Sequence, residues 1–143
     1  MTVIFSKKCE YGLQAVLYLA ANMFDDVVRV DVIAQELNIP KEFISKILQS
    51  LREHGIIDSK KGKTGGFALA KSPSQIKLID IVEAIDGLSI FNSCVLGFPN
   101  CNPDHPCPVH DKWGKLRTEA YKMLSEETLD KFRDKTLDKI KNL

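Results

Sequence analysis

The stretch from residue 41 to residue 77 constrains this chain more than any other. It carries eight bases, Lys41, Lys46, Arg52, Lys60, Lys61, Lys63, Lys71 and Lys77, against Glu42, Glu53 and Asp58, a local charge of +5. Residues 1–40 and 78–143 each carry −2, so the whole-chain charge of +1 hides the concentration. Positive charge gathered in one short segment is the footprint of phosphate contact. Within it, Phe43, Ile44, Ile47, Leu48 and Leu51 recur at helical spacing over 41–54 and are expected to face a core. Lys41, Ser45, Lys46, Gln49 and Arg52 fall on the other side. Gly55 suits a left-handed helix cap. Two strand-like pieces, 56–59 and 67–70, enclose the basic, glycine-rich segment 60–66.

The residues before this segment supply a partner for the helix. Ser6 is a plausible N-cap for a largely buried helix over 7–22. A polar turn over 25–29 follows. Asp31 can cap a short helix over 32–37, and Asn38, Ile39 and Pro40 make a tight connection, with Pro40 in the first turn of the next helix. Helix, short turn, helix and basic hairpin is the order of a winged helix-turn-helix. Beyond it, an amphipathic helix over 78–86 places Leu78, Ile81, Val82 and Ile85 on one stripe, ended by Gly87. Residues 94–109 hold four prolines and one glycine and read as a loop. From residue 111 the chain turns helical again, with a stripe of Trp113, Leu116, Ala120, Met123 and Leu124. After a break at Ser125, Glu126 and Glu127 comes a second stripe of Leu129, Phe132, Leu137 and Ile140. The expected fold is mainly α with a small β-hairpin wing: a winged helix-turn-helix over 1–87, a cysteine-rich loop over 88–110 and a long C-terminal dimerisation helix in a helical region over 111–143.

In a helix-turn-helix the second helix enters the major groove with its N-terminal part against base edges. Here that part offers Lys41, Ser45, Lys46 and Gln49. Gln pairs with adenine, Lys with guanine and Ser with several bases. Lys60, Lys61 and Lys63 charge the wing, while Gly62, Gly65 and Gly66 let the backbone come close to a DNA backbone. The same scaffold also serves protein-interaction modules, which carry no reason for a lysine–glycine wing. No strand–GxxxxGK[ST]–helix phosphate loop, paired carboxylates or nucleophile–base motif occurs, so an enzyme is not expected.

Three of the four cysteines, Cys94, Cys101 and Cys107, fall within fourteen residues, and His110 completes a C-x6-C-x5-C-x2-H spacing. Lys7 and Lys8 precede an apolar run over 13–21, but Glu10 and Gln14 interrupt that region. The run is far short of the roughly 20 residues a membrane span needs. A cytoplasmic chain is expected, and clustered thiols there favour metal or redox chemistry over structural disulfides. Thiolates bind soft or borderline metals and imidazole can complete four-coordination. Three thiolates with one other ligand suit an exposed, labile iron–sulfur cluster. Structural zinc, which more often uses C-x2–4-C pairs, and metal-free reactive thiols are the alternatives. His105 is a weaker ligand candidate than His110. Cys9, in an apolar helix, is expected to pack as a small hydrophobe.

Several motifs together resemble one bacterial family. They are Glu10-Tyr11-Gly12-Leu13-Gln14-Ala15 in the first helix, Leu51-Arg52-Glu53-His54-Gly55-Ile56-Ile57 after the helix pair, and the wing Lys61-Gly62-Lys63-Thr64-Gly65-Gly66-Phe67. The helix Ile79-Asp80-Ile81-Val82-Glu83-Ala84-Ile85-Asp86-Gly87 and the three-cysteine loop before a long helix complete the set. Over nearly its whole length the chain resembles the Rrf2 winged-helix regulators, the family of the iron–sulfur cluster assembly regulator and the nitric-oxide-sensitive repressor. The resemblance implies a homodimer on a two-fold symmetric DNA operator, with the long helix after the cysteine loop forming most of the interface. The second apolar stripe, more than one small domain could cover, agrees with that. In the cluster-assembly branch three cysteines and a histidine hold a 2Fe–2S cluster, a pattern that Cys94, Cys101, Cys107 and His110 match with a first interval one residue longer. In the nitric-oxide branch a carboxylate from the partner subunit completes a 4Fe–4S cluster, and Glu10 occupies that position here. His110 and a 2Fe–2S cluster are the favoured pair, with Glu10 from the partner as the alternative fourth ligand and zinc as the alternative metal.

Overall fold

The computed structural model describes residues 4–22, 27–63 and 65–143. Asp25 and Asp26 of the expected polar turn and Thr64 of the wing lie outside the described residues. The order of the main elements is α1 (Lys7–Ala21), α2 (Val30–Leu37), α3 (Lys41–Glu53), β1 (Ile57–Lys60), β2 (Gly66–Leu69), α4 (Leu78–Ile85), α5 (His110–Glu126) and α6 (Arg133–Lys141). Among the described residues no helix is long and apolar enough to cross a membrane.

The N-terminal half forms for local reasons that the sequence carries. The Ser6 hydroxyl accepts the Cys9 N–H at 3.0 Å, which caps α1. Asn38, left-handed at φ 57°, closes α2, and the Ile39 N–H reaches back to Ala34 O at 2.9 Å. Helix α3 ends in a Schellman motif: Gly55 at φ +76° gives its N–H to Arg52 O, and the Ile56 N–H goes to Leu51 O at 3.1 Å. Leu51 and Ile56 are both buried in the same core, as that motif favours. Asp80 accepts the Lys77 N–H at 2.9 Å and starts α4.

One core holds these pieces together. Ala15, Val16 and Leu19 of α1, Ile33 and Leu37 of α2, Ile44, Ile47, Leu48 and Leu51 of α3, and Ile57, Ile76 and Ile81 are all buried in it. Each Val, Leu or Ile among them contributes about 1.5–3 kcal/mol by leaving water. A smaller cluster of Cys9, Ile79, Val82 and Leu124 lies under α5 and joins α1, α4 and α5. Cys9 is fully buried, as expected of a packed thiol, and burial together with nearby Asp86 pushes that thiol up to about 12.

Five expectations need correction. Asp31 does not cap α2; the helix begins at Val30 after Arg29, and Asp31 pairs with Arg29 at 3.3 Å. The cause is long-range: Val28 exchanges two 2.8 Å hydrogen bonds with Phe67, which holds residue 28 extended and fixes where the helix can begin. Pro40 is the N-cap of α3 and not its first-turn residue. Phe43 does not face the core but is 58% exposed. At about 100° per residue it sits about a quarter-turn from the centre of the Ile44–Ile47–Leu48–Leu51 stripe, beyond its edge. The hairpin is shifted by about one residue, pairing Ile57 with Leu69 and Lys60 with Gly66, so Lys60 belongs to β1 and not to the turn. Finally, most of the second C-terminal stripe turns back on its own chain. Leu129 is buried in the main core, Phe132 and Ile140 pack against it, and the Leu129 N–H bonds Ile76 O at 3.0 Å. Arg133 Nε donates to Ala21 O at 3.2 Å, which anchors α6 beside α1.

Candidate DNA-binding surface and metal centre

The basic face is built as the sequence suggests. With Ile44, Ile47, Leu48 and Leu51 inward, helical geometry leaves Lys41, Lys46 and Gln49 exposed and Ser45 half-buried on the outer side of α3. Lys60, Lys61 and Lys63 are exposed on the wing. Among the described residues none of these five lysines is held in an ion pair, so their charge is available to an anionic partner. Arg52 is used differently: its Nη1 donates to Ser59 Oγ at 2.9 Å and ties α3 to β1. This fixes the wing relative to the helix, a role its place among the polar α3 residues did not reveal.

The wing glycines also have another reason. A Cβ on Gly66 would stand 2.4 Å from Val28 O, and one on Gly65 2.2 Å from Lys60 O. Gly65 is required by the hairpin's own backbone and Gly66 by the Val28 strand paired against it, whatever the wing touches. Gly62, at φ +110° with open space around it, makes the turn. Arg29, next to Val28, is exposed beside this hairpin and was not singled out from sequence, because only the Val28–Phe67 pairing brings it there.

The second site lies between residue 92 and the start of α5, in a segment with no helix or strand of its own. The chain turns after Cys94, where the Gly97 N–H bonds Cys94 O at 3.0 Å, and turns again at Cys107, whose carbonyl accepts the His110 N–H at 3.1 Å. Helix α5 therefore begins at His110, directly beyond the last cysteine. The Sγ atoms of Cys94, Cys101 and Cys107 all lie within 4.8 Å of one another. Cys94 and Cys107 are 3.4 Å apart, and Cys101 Sγ is 3.4 Å from His110 Nδ1. These four residues line one cavity of about 260 Å³. His105 is exposed, with its N–H on Asn102 Oδ1 at 2.9 Å, and it does not line this cavity. Glu10 is half-buried on α1, paired with Lys7 at 3.4 Å.

The thiols are not equivalent. Burial resists ionisation at Cys94, but hydrogen bonds from the Cys107 thiol and the Phe98 and Leu96 backbone outweigh it and bring Cys94 down to about 7. Burial, and the proton that Cys107 gives to Cys94, push Cys107 the other way. Thiolate formation thus begins at Cys94, and a thiolate is the form that binds metal. The donor set fits a thiophilic metal: three sulfurs converge, and the His110 imidazole stands beside Cys101 on the wall of the same cavity. A four-coordinate metal with bonds near 2.3 Å holds its sulfurs about 3.8 Å apart, close to the spacing seen.

The walls of this cavity include two residues the sequence reading did not assign to it. Trp113 Nε1 donates to Ser93 O at 2.9 Å, and Arg117 Nη1 reaches the same carbonyl at 3.3 Å. His110, Trp113 and Arg117 follow an i, i+3, i+7 pattern, so one face of α5 carries all three. That spacing is legible in the sequence, but Trp113 also falls on the apolar stripe with Leu116 and Ala120, which masks its place at the cavity.

Known proteins share this architecture. The Rrf2 family, described as an iron-dependent transcriptional regulator, matches residues 5–135. A protein of Aquifex aeolicus (strain VF5), classed among HTH-type transcriptional regulators, is 36% identical over 129 residues, 89% of either chain. One from Mycobacterium tuberculosis (strain H37Rv), of the same class, is 33% identical over 126 residues, 87% of this chain and 77% of that one. Among solved structures, CymR (YrzC), the global cysteine regulator of B. subtilis, superposes with a TM-score of 0.77 at 22% identity, covering 93% of this chain and 98% of that one. The T. potens IscR superposes with a TM-score of 0.71 at 26% identity, covering 94% and 88%. The relatives are regulators and not enzymes, and the helix pair, the wing and the cysteine loop all fall within the matched region. The chain belongs to the Rrf2 family of transcriptional regulators.

Proposed function

We propose that this protein is an iron–sulfur-dependent transcriptional regulator that binds a palindromic operator as a homodimer, in the cytoplasm, with DNA affinity set by the state of its metal centre. The observation that carries the reading is the convergence of Cys94, Cys101 and Cys107, with His110 beside Cys101, at the start of α5. Lys41, Ser45, Lys46 and Gln49 read bases, and Lys60, Lys61 and Lys63 contact phosphates. Residues 1–87 act as the DNA-binding unit, 88–110 as the cluster loop and 111–143 as the helical region that carries the dimer helix. An exposed groove on α5 supports the dimer: Leu116 and Met123 are 59% and 54% exposed beside Ile90 and Phe91. Apolar surface gathered in this way marks an interface.

When bound, a cluster supplies a redox- or iron-responsive charge held by thiolates. Cys94, Cys101 and Cys107 are its ligands, with His110 as the fourth. His110 belongs to the same chain as the thiolates and lines their cavity, which favours it over a partner's Glu10 and a 2Fe–2S over a 4Fe–4S cluster. A single zinc ion is the second reading, favoured by the short sulfur separations. The test is an anaerobic preparation examined by absorbance, iron and sulfide content. Iron and sulfide in equal amounts, with operator affinity that differs between holo protein and Cys94→Ala, are expected. Zinc without sulfide would overturn the cluster reading, and equal affinities at one salt concentration would overturn the coupling.

A further inference from the structure

Two concave surfaces adjoin along helix α5: the cysteine cavity at its start, and the apolar groove with Leu116 and Met123 further along. Trp113 and Arg117 are the two residues that line both. Each also donates a hydrogen bond to the carbonyl of Ser93, the residue directly before Cys94. The loop that presents the first thiol is therefore fastened to α5 by these two side chains. Arg117 keeps one donor in reserve, for its Nε is buried with no hydrogen-bond partner among the described residues. A buried donor left unpaired is costly, and an anionic group in the adjoining cavity would relieve it.

Charge points the same way. Three thiolates and a neutral imidazole around a divalent ion leave one net negative charge. Among the described residues lining the cavity, Arg117 is the one with a permanent positive charge. A guanidinium stays protonated at every working pH and donates along several directions, which suits a group of sulfurs. Lys115 and Lys122, elsewhere on α5, do not line the cavity.

We propose that Trp113 and Arg117 form a latch through which occupancy of the cysteine site acts on α5, with the Arg117 guanidinium as the countercharge of the bound metal or cluster. This inference rests on the reading of Cys94, Cys101, Cys107 and His110 as a metal centre. Arg117 is a positioning residue here and not a ligand. Filling the site draws its guanidinium toward the sulfurs and tightens the hold on Ser93. Both changes occur on the helix that also presents the apolar groove.

Cobalt(II) titration of the full-length reduced protein tests it. Trp113 is the chain's one tryptophan, so its fluorescence reports the latch without a label. Wild type is expected to bind cobalt with thiolate-to-metal absorption and a change in Trp113 emission. Arg117→Gln should bind at least about tenfold more weakly, in the range for outer-sphere partners of metal ligands, and Arg117→Lys should recover part of the loss. Trp113→Phe should keep cobalt affinity within a few-fold but flatten the dependence of operator affinity on cobalt. Equal cobalt affinity in Arg117→Gln and wild type would overturn the countercharge role, and unchanged Trp113 emission on binding would overturn the latch. If wild type binds no cobalt while still binding DNA, the metal-centre reading itself fails and the latch falls with it. That outcome is told apart from the others by the wild-type titration alone.

Discussion

Asp86 holds Ser6 by two hydrogen bonds across eighty residues of sequence: its Oδ2 accepts the Ser6 N–H at 2.8 Å and its Oδ1 accepts the Ser6 hydroxyl. Ser6 caps α1 and Asp86 caps the end of α4, so one carboxylate ties the start of the first helix to the end of the fourth. Asp86→Ala removes an acceptor from two donors. Hydrogen bonds to charged groups contribute about 1.5–3 kcal/mol, and partial exposure places the expected loss toward the lower end of that range. Chemical denaturation should show a lower midpoint at unchanged slope, and Ser6→Ala combined with it should add less than the sum of the two.

Cysteine reactivity should follow the three environments. In metal-free protein Cys94, brought to about 7, should alkylate with a half-maximal rate near that pH and slow as pH falls below it, because its thiolate is lost. Cys107, raised above its ordinary value, should need more alkaline conditions. Cys9 is buried and raised to about 12, so it should stay unmodified in the native state across this range. Mass spectrometry of peptides after brief iodoacetamide treatment resolves the order; early labelling of Cys9 would contradict it.

Gly66→Ala places a Cβ 2.4 Å from Val28 O, between backbones that cannot yield cheaply. The expected result is a destabilisation of about 1–3 kcal/mol. Operator affinity should fall further than Gly62→Ala makes it fall, since Gly62 lies in open space and meets only the strain of its positive φ. Circular dichroism should show helix content retained in both.

Lys61→Ala and Lys63→Ala should weaken DNA binding about equally on all sequences and flatten its salt dependence. For every phosphate that is no longer neutralised, the slope of log affinity against log salt should fall by about 0.9. Gln49→Ala should instead relax sequence preference, at about 1–3 kcal/mol for removal of a bidentate pairing with a base. Fluorescence anisotropy at several salt concentrations separates the two behaviours.

Leu116→Glu and Met123→Glu alter side chains that are more than half exposed and outside both buried clusters, so each should fold normally. If α5 forms the dimer seam, sedimentation should show dissociation to monomer with an unchanged circular dichroism spectrum. A dimer that persists in both variants would place the interface elsewhere.

Much of this was determined by local sequence. The 3.6-residue spacing of Ile44, Ile47, Leu48 and Leu51, the Ser6 cap, the Gly55 terminator and the charge of 41–77 each act over one or two turns of chain, so they can be read without a fold. The cysteine loop was equally legible, since Cys94, Cys101, Cys107 and His110 lie within seventeen residues of one another. What only tertiary structure decided depends on residues distant in sequence. The start of α2 is fixed by Val28 pairing with Phe67, and the need for Gly66 comes from the same pairing. The last apolar stripe packs inward because Leu129 finds Ile76, while Leu116 and Met123 of the stripe before it are left outside. Trp113 and Arg117 became part of the cysteine site through a carbonyl twenty and twenty-four residues away. Periodicity states which face of a helix is apolar; it does not state what will cover that face, because the covering group arrives from elsewhere in the chain.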